Sequence, residues 1–266
     1  LVFDCAPQLA KRASPSDHQF LKTDTHWTPA AMITAADELT AFIGQHIRLP
    51  TRPPANYFRQ TMTVRNYGDI SVMLRLPTDQ KLYPPEKTTI AQIVSEDGVP
   101  WYNDAEADIL LLGDSFANIY SLGEMGWGTG AGLVEQLSYG LQRPVERLVR
   151  NADGAYAPRQ QLARDLARGH NRLGGKTLVI WEFAARELAV GDWKLIALKE
   201  GTPTGGGMVT PGGVTATGTV AQTSPRPDAG ADYANYIMKL YVTELKDELG
   251  KPVGDGAKRT LDVTGP

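Results

Sequence analysis

Residues 107–112 (ADILLL) form an unbroken apolar run that stops at Gly113-Asp114-Ser115. A strand open to water on one face alternates polar and apolar side chains. A run without alternation therefore predicts a strand covered on both faces, of the kind found inside a parallel sheet. Residues 177–183 (TLVIWEF) repeat the pattern, and residues 145–149 read as a further strand. Residues 133–141 and 159–168 read as helices between them. This alternation predicts an α/β fold, a mostly parallel sheet with helices on both faces. Ligands of such sheets bind beyond the carboxyl ends of the strands, and Ser115 stands at one of those ends.

Other segments are weaker signals. Residues 1–4 read as a short strand, and residues 30–43 carry an approximate helical stripe with Thr28 and Pro29 placed as N-cap and first-turn proline. Residues 52–100, rich in proline with short β-branched runs at 61–64 and 88–94, read as an irregular insertion containing strands. Beyond Glu200 the composition turns to Gly, Thr and Pro, the mark of a flexible connection. Residues 214–222 and 236–245 then bracket a turn-rich stretch, predicting a β-hairpin or small β-module. The expected division is a main domain over residues 1–198 and a connection with a β-rich segment over 199–266.

Composition sets limits on partners. With 42% hydrophobic and 21% charged residues the chain can bury a substantial core. A formal net charge of -3 supplies no overall basic field for nucleic acid, so none is expected as a partner. No apolar run approaches the ~20 residues that span a bilayer. The sequence starts at Leu1 rather than at a methionine and reads as a mature or truncated chain, so a missing leader says little about location. The single cysteine, Cys5, has no internal partner for a disulfide. His18, His46 and His170 read as surface residues rather than metal ligands, since nothing supplies a closed ligand set at zinc-like spacing; neither metal nor cofactor is expected.

Two constellations carry chemistry. In Thr23-Asp24-Thr25-His26-Trp27 an extended backbone would project Asp24 and His26 to one side, where a carboxylate fixes the tautomer of an imidazole. Alone the pair reads equally as metal ligands or an incidental surface dipeptide. At Gly113-Asp114-Ser115 a hydroxyl stands at the sheet rim with backbone N–H groups following it, and such groups stabilise an oxyanion. Alone, Ser115 reads as a helix cap and Asp114 as a turn residue. Together the segments offer a nucleophile and an Asp-His pair able to serve it.

Gly113-Asp114-Ser115 matches the nucleophile block of the SGNH (GDSL-like) hydrolases. With Lys22-Thr23-Asp24-Thr25-His26-Trp27-Thr28-Pro29 ahead of the serine, the chain resembles the circularly permuted SGNH-like domain of the alginate O-acetyltransferases AlgJ and AlgX and their relatives in cellulose acetylation. Tyr67-Gly68-Asp69-Ile70 with Met73-Leu74, and Trp181-Glu182-Phe183 with Arg186-Glu187-Leu188, extend the resemblance over residues 1–198. It implies a three-layer SGNH hydrolase-like sandwich and an O-acetyltransferase with acetylesterase activity. That enzyme acts on an exopolysaccharide such as alginate or cellulose through an acetyl-serine, with Ser115 as nucleophile, His26 as base and Asp24 as its orienter. It further implies a periplasmic location in a Gram-negative bacterium, inner-membrane association through a segment outside this chain, an acetyl donor, and a membrane-bound O-acyltransferase as partner. In ordinary SGNH hydrolases Asp and His stand three apart near the carboxyl terminus, whereas here they stand two apart and precede the serine.

The oxyanion candidates are the N–H of Ser115 and the Asn151-Ala152-Asp153-Gly154 loop, where Gly154 permits close approach. An SGNH-type Gly-x-Asn-Asp block is not visible, and Trp181-Glu182-Phe183 occupies the comparable place without an asparagine. Trp27 is a candidate for sugar stacking, against a core role, and Arg186 for a polysaccharide carboxylate, against an ion pair with Glu182. The alternatives to the transferase are a noncatalytic polysaccharide-binding or scaffold protein of the secretion machinery and a plain secreted carbohydrate esterase.

Overall fold

Strand β3 (Ile109–Gly113), buried along its whole length, organises the molecule. It pairs in parallel with β4 (Glu146–Val149) on one side and β5 (Leu178–Trp181) on the other, giving the order β4-β3-β5. Side chains alternate across a strand, and the two faces of β3 supply two cores. Ile109 and Leu111 join the larger cluster with Met32, Ile43, Val134 and Leu137, while Leu110 and Leu112 pack with Leu162 and Leu166. The first set belongs to helices α2 (Pro29–His46) and α5 (Leu133–Leu141), the second to α6 (Tyr156–Ala167). Helices thus cover both faces, the three-layer α/β arrangement expected of the sequence.

The computed structural model describes residues 1–77, 79–199 and 201, together with the backbone of strands within 216–264. The chain divides into two compact units, Leu1–Thr202 and Pro203–Pro266. In the first, residues 1–4 are not a strand, as no neighbouring strand pairs with them and Leu1 and Val2 lie in solvent; helix α1 (Ala6–Arg12) follows. Helix α2 starts where the sequence places it, with the Thr28 hydroxyl accepting from the Ala31 N–H and Pro29 in the first turn. Residues 52–100 hold an antiparallel ribbon of β1 (Phe58–Asn66) and β2 (Glu86–Val94), with the short α3 (Asp69–Met73) between them. Ile90 and Ile93 of the ribbon belong to the larger core, so this segment is part of the body of the unit. Two four-residue helices, α4 (Ser115–Asn118) and α7 (Glu187–Val190), follow the carboxyl ends of β3 and β5.

The second unit is a three-stranded antiparallel sheet, β6 (Ala216–Thr223), β7 (Ile237–Asp247) and β8 (Arg259–Thr264), in that order. The hairpin is where the sequence suggests, and β8 adds a third strand beside β7. The Gly/Thr/Pro stretch from residue 202 and the turn-rich 224–232 lie outside the described residues. No helix among the described residues is long and apolar enough to cross a membrane.

Candidate active site

The carboxyl end of β3 turns sharply at Asp114, whose Oδ1 accepts from the Phe116 N–H at 2.8 Å and caps α4. The cap is therefore Asp114, and Ser115 is the first helical residue with its hydroxyl free for other work. Asp114 is itself held by the segment that follows β5: its N–H donates to Glu182 Oε2 at 3.0 Å, and its Oδ2 accepts from the Ala184 N–H at 3.1 Å. A side chain at Gly113 would place its Cβ 2.8 Å from that of Ala117 and 3.0 Å from Glu182 Oε2. Two carboxyl groups thus sit behind the nucleophile turn. Burial pushes Asp114 above its ordinary value, and burial together with the neighbouring Asp114 charge pushes Glu182 up to about 8.

Asp24 and His26 converge, but not through an extended backbone. Residues 22–26 run through a series of bends closed by a bridge between Phe20 and Trp27 and by the Leu21 N–H on the His26 carbonyl. The Asp24 carboxylate folds over this bend, and its Oδ1 accepts from the His26 N–H at 3.1 Å and lies 2.6 Å from His26 Nδ1. On the far side of the ring His26 Nε2 lies 2.8 Å from Ser115 Oγ. Asp24 and His26 are buried, while Ser115 is partly open to solvent. Nδ1 facing a carboxylate carries the proton, which leaves Nε2 as an acceptor for the serine hydroxyl. Such a line can deprotonate an alcohol as it attacks a carbonyl.

Supports that the sequence reading did not single out hold this line together. Trp127, fully buried, donates from Nε1 to Asp24 Oδ2 at 2.8 Å, and the Asp69 N–H donates to the same oxygen at 3.1 Å. Although burial opposes the charge, the hydrogen bonds from His26 and Trp127 hold the Asp24 carboxyl below the ordinary value. Asp69 accepts from the Thr25 N–H at 2.7 Å and the Thr25 hydroxyl at 2.5 Å. Glu86, at the start of β2, accepts from the N–H groups of Lys22 and Thr23. Gly68 is required beside it: its φ is +77°, and a Cβ there would lie 2.3 Å from the Thr23 carbonyl oxygen. The resemblance of Tyr67-Gly68-Asp69-Ile70 marked this segment, although spacing alone could not join it to Asp24. Ligand atoms of Asp24, His26 and Asp69 lie within 4.8 Å of one another, but a cation there would have to displace the N–H and O–H donors just described.

The other candidates fall in different settings. Trp27 is only 8% exposed, and its Nε1 donates to the Phe116 carbonyl while its own carbonyl accepts from the Tyr120 hydroxyl. It ties the base loop to α4 and has no free face for a sugar. At Gly154 the close approach is made by the Glu187 carboxylate, 2.3 Å from where a Cβ would stand, and the next amide, Ala155 N–H, donates to it. A carboxylate in that place repels an oxyanion. Asn151 of the same loop accepts from Asn118 Nδ2 at 2.9 Å, one turn of α4 beyond Ser115. Arg186, 57% exposed, makes no ion pair with Glu182; its guanidinium lies over the Phe116 ring at 5.6 Å and 3.8 Å from Glu187.

A serine, an imidazole and a carboxylate aligned at the carboxyl rim of a parallel α/β sheet, with the Asp-His pair ahead of the serine in the chain, are the marks of a permuted SGNH hydrolase-like domain. The family model for the SGNH hydrolase-like domain of acetyltransferase AlgX matches residues 1–185, and the chain belongs to this family. It is 25% identical over 180 residues to the "Probable alginate O-acetylase AlgJ" of Pseudomonas fluorescens, covering 65% of this chain and 42% of the relative. Against the protein of the same name from Pseudomonas syringae pv. tomato the figures are 27% over 193 residues, 69% and 46%. The chain thus spans less than half the length of these curated relatives. Among solved structures, the O-acetyltransferase domain of Pseudomonas putida AlgJ superposes with a TM-score of 0.52 at 22% identity, covering 70% of this chain and 59% of that one, a likeness of fold.

Proposed function

We propose that the protein is a serine-dependent O-acetyltransferase acting on a bacterial exopolysaccharide, with acetyl ester hydrolysis as its reaction when water replaces the sugar. The observation that carries this reading is the unbroken contact line from Ser115 Oγ through His26 to Asp24, at 2.8 and 2.6 Å. Ser115 Oγ attacks the acetyl carbonyl carbon of a donor ester as its proton passes to His26 Nε2. The donor's alcohol leaves with that proton, and acetyl-serine remains. A sugar hydroxyl then attacks the acetyl carbon, gives its proton to His26, and Ser115 departs and recovers it. Asp24 keeps the imidazole in the right tautomer and stabilises the imidazolium between the two transfers. The Ser115 N–H is the first donor to the oxyanion. Asn151 is the second: its Oδ1 is occupied by Asn118, so its amide N–H groups are left to donate.

The similarity to alginate O-acetylases favours alginate as the polymer, and the same family resemblance supports a periplasmic site of action beside a membrane-bound O-acyltransferase that supplies acetyl groups. Incubation with a chromogenic acetyl ester tests the chemistry. The wild-type protein releases the chromophore and gains about 42 Da on Ser115, one acetyl group. Folded Ser115→Ala does neither. Undiminished turnover by Ser115→Ala would overturn the mechanism, and polymer binding without turnover by the wild type would favour a scaffold role.

A further inference from the structure

Next to the nucleophile turn lies an aromatic cluster that the chemistry above does not use. Trp181, Phe183 and Trp193 pack in a triangle with ring centroids 4.9, 5.5 and 5.4 Å apart. Phe183 stands between Glu182 and Ala184, both hydrogen-bonded to Asp114, so the cluster begins beside the turn that carries Ser115. Trp193 remains 42% exposed, and its Nε1 donates to the Glu187 carbonyl at 2.8 Å, which fixes the ring. Aromatic rings of this size normally contribute their area to a core; held rigidly in solvent, they provide a flat surface with little conformational entropy left to lose.

One cation lies over a ring of this cluster, and a second over the ring that follows Ser115. The Arg159 guanidinium lies 4.7 Å from the Trp181 ring centroid, and Arg186 lies over Phe116, whose ring is also 4.9 Å from that of His26. The nearest carboxylate oxygen to Arg186 is Glu187 Oε1 at 3.8 Å, a loose pair, and the other oxygen of that carboxylate is engaged by the Ala155 N–H. Lys194 is tied to Asp192 at 2.5 Å. Arg186 is therefore the exposed guanidinium with capacity to bind a planar anion in two-point fashion. A pyranose ring offers an apolar C–H face to an aromatic surface, and a carboxylate on the ring answers the guanidinium.

We infer that Phe183, Trp193 and Arg186 form the acceptor subsite, which takes an anionic, carboxylate-bearing sugar chain and presents its hydroxyls to Ser115. The inference rests on the acetyl-transfer reading, and its test is separable from it. Ser115→Ala protein, full length, is titrated calorimetrically with a uronic-acid hexasaccharide and with cellohexaose. The uronate oligomer is expected to bind, to weaken as salt is raised, and to be favoured over the neutral one. On the same background Trp193→Ala and Arg186→Gln each weaken uronate binding about tenfold. Trp193→Phe and Arg186→Lys, which keep the ring and the charge, lose less. Equal affinity for the two sugars, absence of uronate binding, or uronate affinity within about twofold of the parent in both truncated variants would overturn the subsite. Because binding is read without the nucleophile, such an outcome leaves the acetyl-serine test standing, and loss of ester turnover in the wild type would strike the chemistry alone.

Discussion

The two sides of the site are built by different means. Ser115 is carried by a core strand: all residues of β3 are buried, both its edges are hydrogen-bonded to neighbours, and the turn beyond it is secured by the residues that follow β5. His26 is carried by a loop without regular structure, held by hydrogen bonds to a few residues far apart in the chain, Asp69, Glu86 and Trp127 among them. A sheet distributes its restraint over a ladder of backbone bonds, and losing one side chain changes little in its course. The loop concentrates restraint in a few side chains, each removable by one substitution. The base side should therefore fail more readily than the nucleophile side, and first in activity.

The harshest break in that arrangement is Gly68→Val. The positive φ strains any L side chain, and the Thr23 carbonyl that its Cβ would strike is pinned by the N–H groups of Ile70 and Ser71. Ester turnover is expected to fall more than ~100-fold with a stability loss of about 2–4 kcal/mol in urea unfolding. Wild-type turnover in this variant would show that the 68–71 segment does not set the position of Asp24. Trp127→Phe sharpens the comparison. It keeps an aromatic ring in the core but leaves the Asp69 N–H as the donor to Asp24 Oδ2. Turnover should drop about tenfold and stability by ~1–2 kcal/mol. A loss of stability with no change in turnover would make Trp127 a packing residue alone.

The same contrast explains what could be seen in the sequence. The apolar runs that specify β3 and β5 are local signals, and the helix expected at 133–141 runs over Leu133–Leu141. The Gly-Asp-Ser turn was visible because it ends such a run. Helix α1 was missed since it contains no buried residue and hence no apolar stripe to read. Trp127 stands 103 residues from Asp24, and Asp69 stands 45 away; no periodicity joins residues so distant. Trp27 was visible as an aromatic beside the base, but only the fold shows that its indole is used to tie two segments together. Gly154 was read for the space it leaves, and the structure fills that space with Glu187.

Glu182→Gln probes the nucleophile side, where the effect on turnover should be smallest and the signature lies in stability. The glutamine amide keeps a carbonyl to accept from the Asp114 N–H but never takes a charge. In the folded protein burial and the Asp114 charge raise the value of Glu182, while the hydrogen bond from the Asp114 N–H and the Arg186 charge lower it; the raising influences win and move it from 4.5 to about 8. A carboxyl whose value is raised on folding costs nothing below its unfolded value. As pH rises above about 4.5 the unfolded chain releases this proton while the folded chain retains it, so wild-type stability declines until about pH 8 and then levels. Urea unfolding at pH 5 and pH 8 should therefore show the variant gaining on the wild type by a few kcal/mol between the two conditions. A stability difference independent of pH would mean that Glu182 is ionised in the fold, and that the turn beneath Ser115 is held by a charge-assisted bond rather than by a neutral acid.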